Sequence, residues 1–216
     1  GHYASPETGV GLCAYIAAGI ASCHESTRRE DALARMRLGM YAKLREGSAW
    51  QDVKATVKSI TESRIDSRLA ILVSDDTHPE TILTRGHLNH VVRRAIREGV
   101  DPLRAIQMAT INTAQCFGVA RDLGSIAPGR CADILFVSDL AEMQVERVMA
   151  DGVLVAEGGR MLYDLPPFEY PDRARNTVRL KKRPSAADFA INAGPGVKKA
   201  LVRVMEVVEA KVTTLH

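Results

Sequence analysis

The sequence predicts an α/β fold in which parallel βα units are followed by a small β domain. In the first 74 residues, short apolar runs alternate with helical stretches, which is typical of a parallel sheet with crossover helices. Helical periodicity then continues over residues 85–117. After Gly118 the pattern changes to short strand-like segments between Gly and Pro turns, which predicts a separate β unit.

The first part of the chain contains three predicted strands and three predicted helices. The strands are the apolar runs at residues 19–22, 40–44 and 69–73. The helices lie at residues 12–18, 30–37 and 50–62. Val53, Val57 and Ile60 fall on one face of the third helix. Thr27 and Glu30 fit a capping box at the start of the second helix.

Residues 85–117 are predicted to form helices that are separated at Gly99. The apolar positions of the first helix recur at helical spacing, at Leu88, Val91, Val92, Ala95 and Ile96. This stripe is broad enough to pack on a sheet. Gly99 is a typical helix end, and Asp101-Pro102 combines an N-cap residue with proline at the first helical position.

The β unit is predicted from three strand-like segments, at residues 133–138, 145–149 and 153–157. Residues 165–182 carry prolines and a cluster of Arg and Lys, which is the composition of a solvated linker. Residues 200–212 are again apolar and β-branched, so we expect a further strand or domain to begin there.

Composition excludes several classes of protein. With 46% hydrophobic and 25% charged residues, the 216-residue chain is typical of globular proteins. The net charge of +3 does not indicate nucleic acid as a partner, and no apolar run approaches the ~20 residues of a membrane span. The four cysteines form no C-x-x-C pair and no signal peptide is visible, so we expect a reducing, cytoplasmic location.

Ionisable side chains follow two of the predicted strands. His24 and Asp75 each come directly after an apolar run, at the carboxyl ends where parallel βα folds place active sites. His2 would be a third such residue if a strand preceded it. Imidazoles and a carboxylate are ligands for a catalytic divalent metal, which lowers the pKa of bound water toward about 7. This pattern predicts a metal-dependent hydrolytic site.

Each of these residues also has an ordinary structural interpretation. His2 could be a frayed residue near the chain start, and His24 could be a hydrogen-bonded polar residue at a strand end. Asp75 and Asp76 could form a turn or begin a helix. His90 lies off the apolar stripe of its helix, which favours a solvent-facing or structural role. Spacing alone therefore does not decide between a metal site and ordinary structural roles for these residues.

Several segments resemble the amidohydrolase superfamily. Gly-Arg-Cys-Ala-Asp-Ile-Leu at residues 129–135, with the valine-rich segment 145–155, resembles the small β domain that follows the metal-dependent barrel in that superfamily. Ser-Asp-Asp-Thr-His-Pro at residues 74–79 and Gly-His-Leu-Asn-His-Val-Val-Arg-Arg-Ala at residues 86–95 resemble its adenine deaminase branch. Further segments similar to that branch lie at residues 1–2, 22–25 and 108–114.

The resemblance implies the second half of a TIM-like (β/α)8 barrel of the amidohydrolase type plus a small β-sandwich-like domain. It implies that His2 and His24 are metal ligands after the fifth and sixth strands. Asp75 would bind metal after the eighth strand, take the proton of the attacking water and pass it to the substrate; Asp76 is the alternative for this role. Glu25 is a weaker candidate for protonating or binding the substrate. The implied cofactor is a divalent metal, Mn or Fe, with Zn as an alternative.

The implied reaction is the hydrolysis of adenine, a small-molecule purine, to hypoxanthine and ammonia by a metal-activated hydroxide that attacks C6. A nearby acid should help, because charge gathers on the ring nitrogen. We expect purine salvage as the context and a homo-oligomer as the assembly. Alternatives are an amidohydrolase acting on a cyclic amide or an N-acetyl sugar, and a non-catalytic oligomerising module with the same fold.

The sequence also departs from the superfamily pattern. The family has an H-x-H pair after its first strand and a further acidic ligand before its fifth strand, and this sequence has no H-x-H. An eight-stranded barrel typically needs about 250 residues. We therefore expect an internal fragment that is weakly active or inactive alone. Its expected units are the barrel half at 1–118, the small β domain at 119–165, a linker at 166–199, and the start of a truncated C-terminal domain at 200–216.

Overall fold

A three-stranded parallel sheet forms the first part of the protein. The computed structural model describes residues 1–2, 7–175, 177–208 and 214–215. The sheet has the order β1-β2-β3, built from β1 (Ser22–Cys23), β2 (Tyr41–Arg45) and β3 (Ala70–Val73). All three predicted strands are confirmed. The first is shorter and begins later than predicted, because α1 ends in a turn at Gly19, whose φ is +95°.

Eight helices accompany the sheet in the described part of the chain. They are α1 (Val10–Ala17), α2 (Arg29–Arg37), α3 (Val53–Thr56), α4 (Lys58–Thr61), α5 (Pro79–Thr84), α6 (Leu88–Arg97), α7 (Pro102–Ala109) and α8 (Ile111–Cys116). Helix α2 packs against β2, whereas α6, α7 and α8 pack against β3. Apolar residues from both layers, such as Leu44, Leu72, Val92 and Met108, are buried in one core cluster. Each such side chain contributes about 1.5–3 kcal/mol by burial.

Two predictions about helices need correction, and one helix was not predicted. The helix predicted over residues 50–62 is two short helices, α3 and α4, and the Ser59 hydroxyl donates to the carbonyl of Thr56 at 2.6 Å beside their junction; such local bonds compete with a regular helix. Asp31, not Glu30, caps α2, because its Oδ2 accepts from the backbone N–H of Arg28 at 3.0 Å. Helix α5 was not predicted, although Pro79 at its first position is a typical start.

The junction between α6 and α7 is confirmed. Gly99, which follows the end of α6, has φ +96°, a conformation that glycine adopts without penalty. Asp101 then caps α7 by accepting from the backbone N–H of Arg104 at 3.1 Å. This sharp turn allows both helices to pack against β3.

Asn112 connects α8 to the start of β3. Its buried Nδ2 donates to the carbonyls of Ser67 at 2.8 Å and Ala70 at 3.0 Å. Asn112→Ala should lower the free energy of unfolding by about 1–3 kcal/mol, because both buried carbonyls lose this donor. Urea denaturation of the purified chain measures this effect. Gln115→Ala, at an exposed position on the same helix, is the control and should stay within about 0.5 kcal/mol. Equal effects of the two substitutions would contradict the assigned role.

The second sheet is antiparallel and follows the chain order. It contains β4 (Ile134–Asp139), β5 (Gln144–Ala150), β6 (Val153–Glu157) and β7 (Arg160–Met161). The turn from β5 to β6 uses Asp151 and Gly152, both with positive φ, which is the conformation of a tight hairpin. The three predicted strands are therefore confirmed, and β7 is added to them.

The remaining described residues carry little regular structure. The predicted linker contains two short 3-10 helices, Asp172–Ala174 and Ala186–Phe189. Beyond it, β8 (Glu206–Val207) pairs with β9 (Thr214–Leu215). The strand or domain predicted at 200–212 lies partly outside the described residues. Among the helices that are described, none is long and apolar enough to cross a bilayer.

A cavity of about 890 Å³ lies between the helices and the antiparallel sheet. Its lining is mostly apolar, with Leu88, Val92, Ile134 and Met143 among the contributors. The groups singled out for chemistry lie elsewhere, at the carboxyl ends of the parallel strands.

Candidate functional site

Polar side chains meet where the three parallel strands end. His24 and Glu25 follow β1, Arg45 is the last residue of β2, and Asp75 comes two residues after β3. Parallel pairing brings these carboxyl ends to one edge of the sheet. These groups are therefore supplied by residues 22–25, 41–45 and 70–75. The antiparallel sheet contributes none of them.

His2, His24 and Glu25 form a compact cluster at this edge. Glu25 Oε1 lies 2.8 Å from Nδ1 of His2 and 3.1 Å from Nε2 of His24. The two imidazole rings meet edge to face, with centroids 4.2 Å apart. The His24 and Glu25 side chains are 22% and 17% exposed, whereas that of His2 is 77% exposed. His2 is thus the exposed member of the cluster.

The environment of His24 favours its neutral form. Burial lowers the pKa of His24 below its ordinary value, and this outweighs the nearby Glu25 carboxylate, which raises it. The adjacent His2 lowers the pKa of His24 further. A neutral imidazole keeps a lone pair available for a metal ion.

Arg45 links the cluster to Asp75. Its Nη1 donates to Oδ2 of Asp75 at 2.9 Å and lies 3.6 Å from Oε2 of Glu25. On the other side, Nη2 is 3.0 Å from Oδ2 of the buried Asp52. Burial would lower the pKa of Arg45, but its hydrogen bonds to Asp75 and Asp52 raise the pKa above its ordinary value. Arg45 is therefore a buried permanent cation among three carboxylates.

Asp75 and Asp76 have different surroundings. Asp75 has φ +62°, and its carboxylate meets Arg45. The Asp76 carboxylate accepts from the backbone N–H of Ala49 at 2.6 Å, and its carbonyl accepts from that of Ser48 at 2.7 Å. Gly47 allows this close approach, because a Cβ there would lie 2.6 Å from the carbonyl oxygen of Asp76. Asp76 thus fastens the loop after β2 to the loop after β3.

The other histidines lie outside the cluster in the described structure. The Nε2 of His87 is 3.2 Å from the hydroxyl of Ser74, which places His87 beside the loop that follows β3. The backbone N–H of His78 donates to Ser48 Oγ at 2.8 Å. The partly buried His90 lines a separate pocket with Arg85, Arg93, Arg94 and Arg97.

Sequence reasoning missed Arg45 and Asp52. Arg45 ends an apolar strand at the same edge as His24 and Asp75, so the rule that selected those residues would also have found it. No comparable signal marks Asp52, which lies seven residues after the end of β2 and returns to it through a loop. Its N–H donates to the carbonyl of Arg45 at 2.9 Å, and this bond closes the loop.

The cluster has a donor set suited to a divalent transition metal. His2, His24 and Glu25 each offer one ligand atom, and these atoms all lie within 4.8 Å of one another. Two imidazole nitrogens and one carboxylate oxygen suit Zn, Mn or Fe in their divalent states. The structure therefore brings together both predicted histidine ligands, with Glu25 as the carboxylate beside them and Asp75 joined to Glu25 through Arg45.

Comparison with known proteins decides the family. Residues 14–155 match the sequence model of the amidohydrolase family. The chain belongs to the amidohydrolase family. Among solved amidohydrolase-like structures, a beta-aspartyl dipeptidase from Fervidobacterium islandicum AW-1 aligns with a TM-score of 0.57 at 17% identity, covering 78% of this chain and 47% of that one. This likeness supports the α/β fold of the family.

Two curated relatives of this amidohydrolase chain are named adenine deaminase. An adenine deaminase from Moorella thermoacetica is 64% identical over 216 residues, which is 100% of this chain. One from Clostridium botulinum is 53% identical over 214 residues, or 99% of this chain. In both cases the chain spans 36% of the relative's length.

Proposed function

We propose that this chain is the part of an adenine deaminase that carries three barrel strands and the small β domain. The observation that carries the proposal is the 64% identity to a named adenine deaminase over all 216 residues. The cluster of His2, His24 and Glu25 supports it, because this is a donor set for metal-assisted hydrolysis. Asp75 is joined to this cluster through Arg45, which contacts both Asp75 and Glu25. The remainder of a longer protein would supply the H-x-H pair and the further acidic ligand.

A half-barrel accounts for the parallel sheet. Strands β1 and β3 are the edges of the described sheet, and an (β/α)8 barrel would pair both of them. We propose residues 1–118 as this barrel half, 119–165 as the small β domain, 166–199 as a linker and 200–216 as the start of a further domain. The small domain would become sandwich-like by adding strands from elsewhere in the protein.

The metal would be held by His2, His24 and Asp75. When bound, a divalent metal supplies a water of lowered pKa at neutral pH. We propose Mn or Fe, with Zn as the alternative, since imidazole and carboxylate ligands suit all three. The protein would act on a purine in a cytoplasmic salvage reaction, as a homo-oligomer.

In this proposal the side chains of the chain move protons and orient the purine. Asp75 takes one proton from the attacking water as the C6–O bond forms, and delivers it to the amino group as the C6–N bond breaks. Glu25 lies next to the histidines and either holds the ring nitrogen where charge gathers or protonates it as the C6–O bond forms. In the second case the remaining proton of the water passes from the C6 hydroxyl back to Glu25 as the C6–N bond breaks. The balance is adenine plus water giving hypoxanthine plus ammonia.

A substrate panel tests the proposed function. The full-length protein, loaded with Mn²⁺, Fe²⁺ or Zn²⁺, would be offered adenine, a cyclic amide and an N-acetyl amino sugar. We expect loss of adenine absorbance with equal release of ammonia, and no turnover of the two amides. Turnover of an amide alone would replace the purine assignment, and no turnover with metal bound would favour a non-catalytic module.

A further inference from the structure

Arg45 lies between the carboxylates that follow the two neighbouring strands. It ends the middle strand β2, and its side chain is buried. Its Nη1 contacts Asp75 Oδ2 at 2.9 Å and Glu25 Oε2 at 3.6 Å. One guanidinium group therefore contacts residues that follow both outer strands, Glu25 after β1 and Asp75 after β3.

The opposite edge of the guanidinium faces Asp52. Oδ2 of Asp52 lies 3.0 Å from Nη2 and 3.3 Å from Nε, while the Trp50 ring centroid lies 4.9 Å from the guanidinium carbon. A guanidinium is planar and rigid, so these contacts set the direction of Nη1. Asp52 also offsets the positive charge of Arg45. The electrostatic repulsion between Arg45 and a metal cation in the neighbouring cluster is therefore smaller.

We propose that Arg45 is a positioning residue that holds the carboxylate of Asp75 at the edge of the His2–His24–Glu25 cluster. The hydrogen bond uses Oδ2, so Oδ1 is the oxygen that takes a metal ion or a proton. Asp75 has a positive φ, a conformation that persists where its surroundings hold it in place, and the bond from Arg45 is one such restraint. The role assigned to Asp75 rests on the proposed function.

The test compares Arg45→Met with Arg35→Met in the full-length protein. Arg35 is the matched control, because it is also buried and donates to a backbone oxygen, that of Asp31 at 2.9 Å on α2. Mn²⁺ affinity is measured by chelator competition, together with kcat and KM for adenine. Arg45→Met should weaken Mn²⁺ binding by about 10- to 100-fold and lower kcat as well, as expected when the partner of a ligand is lost. The KM for adenine should change little, and Arg35→Met should keep the native Mn²⁺ affinity.

Arg45→Lys covers the case in which the methionine variant does not fold. Lysine keeps the charge but lacks the planar fork that donates to Asp75 and Asp52 together, so the Mn²⁺ affinity of this variant should fall below that of the native protein. In Arg45→Ala, added guanidinium ion at millimolar concentration should restore part of the affinity, which a purely structural role would not allow. Native Mn²⁺ affinity and kcat in folded Arg45→Met, or losses equal to those of Arg35→Met, would overturn the inference. Because Mn²⁺ binding is measured without adenine, it decides this inference even if the proposed deamination fails.

Discussion

Replacing His24 with alanine should remove nearly all adenine turnover and most metal binding. His24 Nε2 lies 3.1 Å from Glu25, at the centre of the donor cluster, and its side chain is largely buried. Loss of a residue that merely supports a metal ligand typically lowers metal affinity or activity by about 10- to 100-fold. Loss of the ligand itself should therefore lower them by more than about 100-fold. The measurements are Mn²⁺ stoichiometry after gel filtration and the rate of ammonia release, both on the full-length protein.

His90→Ala is the matched control for this prediction. His90 is also partly buried, but it lies on α6 beside a group of arginines in a separate pocket. We expect its metal content and its turnover to remain close to native. A full complement of metal in His24→Ala, or equal losses in both variants, would remove His24 from the site.

Replacing Asp52 with asparagine should destabilise the protein by about 3 kcal/mol, because the buried Arg45 loses one of its charge partners. Both partners are buried, and Oδ2 of Asp52 is 3.0 Å from Nη2 of Arg45. Breaking a buried pair typically costs about 3–5 kcal/mol, and the lower end applies here because Asp75 still pairs with the arginine. The free energy of unfolding, measured by urea denaturation, checks this prediction.

Glu62→Gln is the control for the ion pair. Glu62 is 3.0 Å from Arg29 on the surface, where both side chains are exposed, and such pairs contribute about 0–1 kcal/mol. The same change of carboxylate to amide should therefore have a much smaller effect than Asp52→Asn. A similar small effect at both positions would mean that the buried pair is not needed for stability.

Much of the fold could be predicted because buried strands and helices have a recognisable spacing of apolar residues in the sequence. The run at 69–73 became β3, and the glycine after α6 ended that helix as expected. The segment 50–62 was misjudged because its periodicity is helical while Ser59 bonds locally to Thr56. Such a local bond depends on side-chain conformation, which periodicity does not record.

The candidate site also has features that the sequence predicts and features that it does not. His24 and Asp75 could be proposed from their positions after apolar runs, and the fold brings them to one edge of the sheet. The contact between Arg45 and Asp75 could not be predicted, because it joins residues 30 positions apart through two side chains. The sequence favours Asp75 over Asp76 because Asp75 comes first after the strand, and the loop contact of the Asp76 carboxylate with the N–H of Ala49 could not be predicted.

We propose that deamination of adenine requires a metal held by His2, His24 and Asp75. Ammonia release from adenine should be measured while the metal-free full-length protein is titrated with Mn²⁺. We expect no turnover without metal and a rate that rises in proportion to the bound metal. Turnover by the metal-free protein, or a fully loaded protein that leaves adenine unchanged, would exclude this role of the metal.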